Sequence, residues 1–196
     1  MKRSLAALWL LLSAATVHAD DIRLGMPEYG GTGCPAGSAS VSLDFAQKSI
    51  SMLFDQYVVE AGGNRAFDRK NCNIAVPVHV PQGYSLAVMA IDYRGFAGLP
   101  AGGRAQLSVD YFLAGAGRGV RTSKNFYGPY SSDYLKSDSL GMESVVWTPC
   151  GADTILRANT TMLVQSNNRR EQAMATIDSA DIQAGLIYHF EWRRCN

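Results

Sequence analysis

Pairs of acidic residues are the first feature of this sequence that suggests chemistry. Asp178 and Asp181 form the tightest acidic cluster, and Asp133 and Asp138 flank a second segment. Two carboxyl groups, one acting as acid and the other as base or nucleophile, perform most glycoside hydrolysis. Asp178 and Asp181 are also candidates for calcium binding, because calcium takes oxygen ligands. The third interpretation, which the sequence favours, is that these residues cap turns by bonding the backbone.

Aromatic residues in a Gly-rich segment are the second feature. Tyr127, Tyr130 and Tyr134 lie close together with Phe126 beside them, and residues 114–142 predict a long loop or short strands. Aromatic loop residues on a rigid β scaffold suit stacking against sugars or gripping a protein partner. The alternative, which the sequence favours, is a collapsed loop that packs its own rings.

A third candidate lies in the segment 92–96. Arg94 is flanked by Tyr93 and Phe96. A guanidinium beside aromatic rings favours a cation–π arrangement. Tyr93 and Arg94 are therefore candidate binding residues, and a structural role fits this pattern equally well.

Signatures of nucleophilic or cofactor chemistry are absent from the sequence. His79 and His189, the two histidines after residue 19, both lie on the polar phase of predicted strands. A hydrolase triad needs a nucleophile, a base and an orienting acid, and no GxSxG motif occurs. The glycines at 115–119 lack the following helix that a nucleotide site requires. We therefore assign no catalytic residue, no metal and no cofactor.

The four cysteines Cys34, Cys72, Cys150 and Cys195 indicate two disulfides, because an even number in an exported chain is typical of a disulfide framework. Three connectivities are possible. We favour Cys34–Cys72 and Cys150–Cys195, because each then closes one half of the chain. Zinc is disfavoured, since no CxxC pair occurs and neither histidine has ligand-like spacing to a cysteine.

The elements that position these residues are predicted to be β-strands, because apolar and polar residues alternate along at least six runs. The alternating apolar residues include Ala39, Val41 and Leu43; Cys72, Ile74, Val76 and Val78; Tyr84, Leu86, Val88 and Ala90; Leu107, Val109, Tyr111 and Leu113; Leu156, Ala158, Thr160, Met162 and Val164; and Ile182, Ala184, Leu186, Tyr188 and Phe190. Residues 72–92 read as a β-hairpin around a turn at Pro81-Gln82-Gly83. The fold class is all-β, an antiparallel β-sandwich, with a β-barrel as the alternative.

The asparagine of the segment Asn159-Thr160-Thr161 matches the acceptor sequence for N-glycosylation. It falls inside a predicted strand.

The first nineteen residues are typical of a secretory signal peptide. Lys2 and Arg3 precede an apolar run from Leu5 to Leu12, and Ala19 supplies a small residue for cleavage. The run is too short to span a bilayer, which takes about 20 apolar residues. We predict a signal peptide at 1–19 and a single secreted domain at 20–196, located outside the cell or in a periplasm.

Export changes the charge of the chain. Removing Lys2 and Arg3 from 18 basic residues leaves 16 against 17 acidic residues, a formal net charge of −1. Binding to nucleic acid or to an anionic membrane requires clustered basic residues on a positive domain. The composition therefore excludes both as partners, and no later segment predicts a membrane span.

The chain resembles a family of secreted, four-cysteine, β-rich proteins of unknown function found mainly in bacteria and fungi. The matching segments are Gly33-Cys34-Pro35, Arg69-Lys70-Asn71-Cys72, Val80-Pro81-Gln82-Gly83-Tyr84, Asp92-Tyr93-Arg94-Gly95-Phe96, Val146-Trp147-Thr148-Pro149-Cys150-Gly151, Asp178-Ser179-Ala180-Asp181 and Trp192-Arg193-Arg194-Cys195. The resemblance implies one domain and two disulfides. It implies no activity and no site residue.

These observations lead to a functional hypothesis with two alternatives. The first is a secreted, non-enzymatic binding or surface-interaction protein whose partner is a glycan or another protein. One alternative is a secreted hydrolase that uses Asp or Glu on glycans, and the other is a toxin-like or defence effector. The binding hypothesis predicts no cleft with two carboxylates at catalytic separation.

Overall fold

The chain forms strands and turns throughout the part that the structure describes. This computed structural model describes residues 23–44, 49–115, 119–139, 147–177 and 186–195. In chain order the strands are β1 (Arg23–Leu24), β2 (Glu28–Gly30), β3 (Ala39–Asp44), β4 (Ser49–Phe54), β5 (Val58–Ala61), β6 (Phe67–His79), β7 (Tyr84–Leu99), β8 (Arg104–Leu113), β9 (Gly119–Tyr127), β10 (Tyr130–Ser139), β11 (Thr154–Gln165), β12 (Ala173–Thr176) and β13 (Leu186–Arg194).

Alternation of polar and apolar residues explains why these segments are strands. In β6, Cys72, Ile74, Val76 and Val78 are buried, while Arg69, Asn73 and Pro77 on the opposite phase are exposed. The same period of two runs through β8 and β11. One face of a strand is thereby apolar and the other polar, which requires a sheet with one packed face.

The strands assemble into two antiparallel sheets. The first sheet has the order β1-β6-β11-β8-β9, and β2 also pairs with β6. The second sheet has the order β3-β4-β13-β7-β12-β5, and β10 also pairs with β7. The buried side chains of both sheets form one core, which includes Tyr57, Tyr93, Ile91, Leu107 and Met162. The sandwich prediction is confirmed, because the described strands form open sheets and no closed barrel.

The predicted hairpin at residues 72–92 is wrong. A turn does occur there, since the amide of Tyr84 donates to the carbonyl oxygen of Pro81 at 3.1 Å. The strands on either side belong to different sheets, because β6 pairs with β11 while β7 pairs with β13 and β10. Alternation identifies a strand and its buried face, and it does not identify the neighbour with which the strand pairs.

The segment predicted as a long loop or short strands contains two well-formed strands. β9 pairs with β8 over nine residues, and β10 pairs with β7 over ten. The turn between them, at Gly128-Pro129, therefore carries the chain from the first sheet to the second. Tyr, Ser and Thr are good strand residues when they are half-buried, which explains how this polar composition forms strands.

Both disulfides have the predicted connectivity. Cys34 bonds to Cys72, and Cys150 bonds to Cys195, so that no cysteine remains free. The first bridge attaches the segment before β3 to the buried face of β6. The second attaches the end of β13 to the segment before β11. The first bridge therefore joins the segment that leads into the second sheet to a strand of the first sheet. The second bridge joins the end of a strand of the second sheet to the segment that leads into the first sheet.

Candidate binding face

Four neighbouring strands of the first sheet present a row of side chains, of which three are exposed and Gln165 is half-buried. Phe67 on β6 lies opposite Gln165 on β11, which lies opposite Arg104 on β8, which lies opposite Tyr127 on β9. Directly opposite residues in antiparallel strands share one face of the sheet. We call these four residues the aromatic row.

The two rings of the aromatic row are unusually exposed. Phe67 is 61% exposed and Tyr127 is 70% exposed, and the other exposed large apolar side chains among the described residues are Met26 and Leu135. Neighbouring strands lie about 4.8 Å apart, so three spacings put the two strands that carry the rings about 14 Å apart. The row therefore ends in an aromatic ring at each side of the sheet.

A guanidinium and an amide fill the space between the rings. The Nε of Arg104 donates to the Oε1 of Gln165 at 2.9 Å. This bond uses one of the five donors of the guanidinium and orients the group across the strands. The aromatic row therefore combines two apolar surfaces with a fixed cation between them.

The next two rows continue the same face with mostly polar side chains; Leu163 is the apolar exception, and Ser108 is buried. Along the strands, residues two apart share a face. The second row is Arg69, Leu163, Gln106 and Asn125, and the third is Asn71, Thr161, Ser108 and Ser123. The Nε2 of Gln106 donates to the Oδ1 of Asn125 at 2.7 Å. We call the three rows together the candidate face.

Two adjacent turns hold the aromatic row in place. Gly103 bonds back to Pro100 before β8, and the amide of Gly128 donates to the carbonyl oxygen of Gly103 at 2.8 Å after β9. A Cβ on Gly128 would lie 1.8 Å from the carbonyl oxygen of Pro100, so only glycine allows this approach. The two turns join the start of β8, where Arg104 lies, to the end of β9, where Tyr127 lies.

The three predicted loop tyrosines have different surroundings. Tyr127 belongs to the candidate face. Tyr130 and Tyr134 pack on the buried Phe126, with ring centroids 5.8 Å and 4.6 Å away. The hydroxyl of Tyr134 also donates to the carbonyl oxygen of Thr176 at 2.6 Å. The segment therefore buries part of its own aromatic cluster and presents a single ring of the three to the candidate face.

The predicted pair Tyr93 and Arg94 is divided between the two faces of β7. Tyr93 is fully buried, and Arg94 is half-buried opposite Leu135 of β10. The cation over the ring of Tyr93 is Lys136, whose Nζ lies 5.2 Å from the ring centroid. Tyr93 thus takes part in a cation–π contact inside the sandwich.

That contact belongs to a polar cluster between the sheets. We call Tyr93, Tyr111, Thr122, Lys136 and Asp138 the buried polar cluster. Lys136 forms an ion pair with Asp138, and these side chains are 4% and 10% exposed. Asp138 also accepts hydrogen bonds from Thr122 at 2.5 Å and from Tyr111 at 3.2 Å, while Tyr111 shares a hydrogen bond with Tyr93. Burial lowers the pKa of Lys136, and the hydrogen bond and charge of Asp138 offset part of this effect.

A second buried hydroxyl lies behind the candidate face. Tyr57 is fully buried, and its hydroxyl lies 3.0 Å from that of Thr160 on β11. Burial raises the pKa of Tyr57 well above its ordinary value. Thr160 in turn donates to the carbonyl oxygen of Cys72 at 3.1 Å. On the core side of the first sheet, these hydrogen bonds therefore link β6 to β11, two of the strands that carry the candidate face.

The acidic candidates do not form a carboxylate pair within the described residues. Asp133 is exposed and Asp138 is half-buried, and five residues of strand separate them, or about 17 Å. Catalytic carboxyl pairs lie about 5–9.5 Å apart. Asp178 and Asp181 lie outside the described residues. In the described ranges no group of three or more His, Cys, Asp or Glu side chains is arranged to hold a metal ion.

A surface pocket of about 420 Å³ lies at the opposite end of β6. Its lining includes His79 and Asp153, whose Nδ1 and Oδ1 atoms are 2.7 Å apart. Asp153 also accepts a hydrogen bond from the amide of Val80 at 3.1 Å. The lining contains one carboxylate, so this pocket does not supply the pair that Asp- or Glu-dependent glycan hydrolysis needs.

The sequence interpretation missed Phe67, Gln165 and Arg104. The signal for Phe67 was present, because this residue continues the alternation of β6 two positions before Arg69, on the polar phase. An aromatic residue on the polar phase of a strand is exposed unless another element covers it. Gln165 and Arg104 carried no comparable signal, since their importance follows from strand pairing.

Fold and sequence together identify the class of the protein and then its family. The molecule is a secreted, disulfide-bonded, antiparallel β-sandwich. The chain belongs to the family described as Domain of unknown function (DUF4360), whose model matches residues 20–195. The resemblance predicted from the sequence is thereby confirmed.

Two further proteins are similar to this chain. An "Uncharacterized secreted protein" from Arthroderma benhamiae is 33% identical over 178 residues, covering 90% of this chain and 73% of the relative. A solved structure of TmCBM61 in complex with beta-1,4-galactotriose aligns with 86% of this chain and 88% of its own, at 10% identity and a TM-score of 0.34. In the described part of the chain, no helix is long and apolar enough to cross a membrane.

Proposed function

We propose that this secreted protein is a non-enzymatic binding protein that takes an extended glycan along the candidate face. The observation that carries the proposal is the aromatic row, in which Phe67 and Tyr127 are 61% and 70% exposed on the same face of one sheet. Exposed aromatic rings on a rigid sheet provide flat apolar surfaces for sugar rings.

The polar part of the candidate face supports the same ligand. Apart from Arg69 and Leu163, the second and third rows consist of amides and hydroxyls, among them Gln106, Asn125 and Thr161. Such groups both donate and accept hydrogen bonds, as sugar hydroxyls do. A flat face bonded from strand to strand is also preorganised, which reduces the entropy lost on binding.

The experiment is a glycan array probed with the full secreted protein, followed by titration of any glycan that binds. Phe67→Ala and Tyr127→Ala should each weaken binding by about 5- to 30-fold, which corresponds to about 1–2 kcal/mol for a central aromatic contact. Each variant removes an exposed side chain, so the free energy of unfolding should change little.

Leu135→Ala is the matched control, because Leu135 is 50% exposed and lies on β10 of the second sheet. Its affinity should equal that of the unmodified protein. Failure to bind any glycan on the array would reject the proposal. Equal loss of affinity in Leu135→Ala and Tyr127→Ala would also reject the candidate face as the site.

A further inference from the structure

We infer that the glycan taken by the candidate face is a carboxylated polysaccharide, a polyuronate. This inference rests on the proposed function and specifies its ligand. The candidate face carries two cations, Arg69 and Arg104, and no acidic side chain occurs in its three rows. A neutral glycan would leave both guanidinium groups without a charged partner.

The charges around the candidate face preserve this local excess of positive charge. In the next row, Arg121 pairs with Asp110 at 3.3 Å, so this pair is neutral. Beyond the aromatic row, Arg65 pairs with Asp68 at 3.5 Å. Ion pairs at both ends therefore leave the charge of Arg69 and Arg104 unopposed.

The turn after β11 adds further positive charge at the aromatic end. Arg169, Arg170 and Glu171 are all exposed there. The side chain of Asn167 anchors this turn by donating to the carbonyl oxygen of Ala101, in the turn before β8, at 2.9 Å. The turn therefore lies at the same end of the sheet as the aromatic row, and it contributes two cations against one anion.

This concentration of positive charge is local, since residues 20–196 carry 16 basic and 17 acidic residues. A nucleic acid would also meet aromatic rings and arginines favourably. It requires a positive domain for long-range attraction, which a chain with a net charge of −1 lacks. A polyuronate fits better, because each sugar ring offers a flat surface and a carboxylate together.

The geometry of the aromatic row suits this ligand. Arg104 lies between Gln165 and Tyr127 in the strand register, so a cation and a ring occupy adjacent positions of the row. Its Nε is fixed by Gln165, and a guanidinium pairs with a carboxylate through parallel N–H donors. Arg69 lies two residues from Phe67 on the same face of β6. Phe67 and Arg69 are therefore neighbours on one face of β6, and Tyr127 on β9 lies opposite Arg104 on β8.

The experiment compares polygalacturonate with its fully methyl-esterified form by isothermal titration calorimetry. Esterification removes the negative charge and keeps the sugar backbone. The unmodified protein should bind polygalacturonate about 100-fold more tightly than the ester, about tenfold for each of the two guanidinium groups, as expected for charge-assisted hydrogen bonds. Arg104→Gln and Arg69→Gln should each weaken the affinity for polygalacturonate about tenfold and leave the weaker affinity for the ester unchanged.

Arg157→Gln is the matched control, because Arg157 is exposed on the same side of β11 and lies outside the candidate face. It should bind polygalacturonate within about twofold of the unmodified protein. A loss equal to that of Arg104→Gln would overturn the inference, since diffuse charge would then explain binding. Equal affinity for single-stranded DNA would overturn it in the same way.

Equal affinity for polygalacturonate and its ester would overturn the carboxylate inference alone. The proposed function would survive that result if Phe67→Ala and Tyr127→Ala still weakened binding to both polymers. Absence of binding to both polymers, with binding to a neutral glycan on the array, would likewise reject the polyuronate and leave the glycan proposal intact. The two failures are therefore distinguishable.

Discussion

The buried polar cluster and the aromatic row use similar groups in opposite surroundings. Both combine a cation with an aromatic residue: Lys136 lies over the ring of Tyr93 in the first, and Arg104 lies opposite Tyr127 on the neighbouring strand in the second. In the cluster the cation has a carboxylate partner within the protein, Asp138, and both are nearly inaccessible to solvent. In the aromatic row the cation bonds a neutral amide and faces solvent.

The difference shows what burial does to a polar group. A charge removed from water is strongly destabilising unless it is paired and hydrogen-bonded, so the cluster must be complete within the fold. An exposed guanidinium is solvated, and it has donors left for a ligand. The cluster therefore uses its polar groups within the fold, where it links the two sheets, and the aromatic row keeps donors that the fold does not use.

The largest effect should come from breaking the buried polar cluster. Lys136→Met leaves Asp138 charged and buried without its cation, which should destabilise the fold by about 3–5 kcal/mol. Urea denaturation followed by tyrosine and tryptophan fluorescence measures this loss. Lys124→Met is the control, because Lys124 is half-buried and bonds a backbone carbonyl rather than a carboxylate.

The double variant Lys136→Met with Asp138→Leu sharpens the same test. It removes both charges, so much of the stability lost in Lys136→Met should return. A double variant as unstable as the single one would show that the methionine disturbs packing and that the ion pair is not the cause. Neither variant should alter glycan affinity at a temperature where it is folded.

A smaller and pH-dependent effect should come from Tyr57→Phe. Removing the hydroxyl breaks its bond to Thr160 and should cost about 1 kcal/mol near neutral pH. The raised pKa means that the folded state keeps the phenol proton above pH 10, where the unfolded chain loses it. The folded state then binds more protons, so the contribution of Tyr57 to stability falls as pH rises above about 10.

The measurement is urea denaturation of both proteins from pH 8 to pH 11. The difference in free energy of unfolding between the unmodified protein and Tyr57→Phe should be constant below about pH 9 and shrink above pH 10. Parallel pH profiles would contradict the burial of this hydroxyl. Tyr127→Phe is the control, because Tyr127 is 70% exposed and its hydroxyl lies outside the core.

The smallest effect should come from the exposed ion pair beside the candidate face. Arg121 and Asp110 lie 3.3 Å apart, and their side chains are 70% and 43% exposed. Pairs of this kind contribute about 0–1 kcal/mol and are screened by salt. Arg121→Gln should therefore change the free energy of unfolding by less than about 1 kcal/mol, and 1 M NaCl should abolish the difference.

A loss of several kcal/mol in Arg121→Gln would contradict the distinction drawn between buried and exposed charges. Arg121→Gln also tests the proposed binding of polygalacturonate. Because it leaves Asp110 unpaired near the candidate face, it should weaken binding to polygalacturonate modestly, by less than Arg104→Gln does.

Much of the fold follows from patterns within single strands. The alternation of Cys72, Ile74, Val76 and Val78 determines both the strand and its buried face, and the disulfide pairing follows from one bridge per half of the chain. The neighbours of each strand do not follow, because pairing depends on which apolar faces meet in three dimensions. This is why the turn at Pro81 was predicted and the sheet change across it was not.

The candidate face shows the same division between what a local sequence pattern predicts and what strand pairing decides. Tyr127 was found because it lies in an unusual aromatic segment. Phe67 and Arg104 are 37 residues apart in the sequence and share a row only through Gln165 on a third strand. A site assembled across four strands has no local sequence signature. Tyr93 shows the converse, since an aromatic residue beside Arg94 proved to be part of the core.

The arrangement of the two disulfides determines how the molecule would tolerate proteolysis outside the cell. A cut between Cys34 and Cys72, or between Cys150 and Cys195, leaves one covalent molecule. A cut between residues 73 and 149 yields two fragments, each with its own bridge. Those fragments would be held by backbone pairing, above all by the twelve residue pairs between β6 and β11. The strands that bear the candidate face would thus also hold a nicked molecule together.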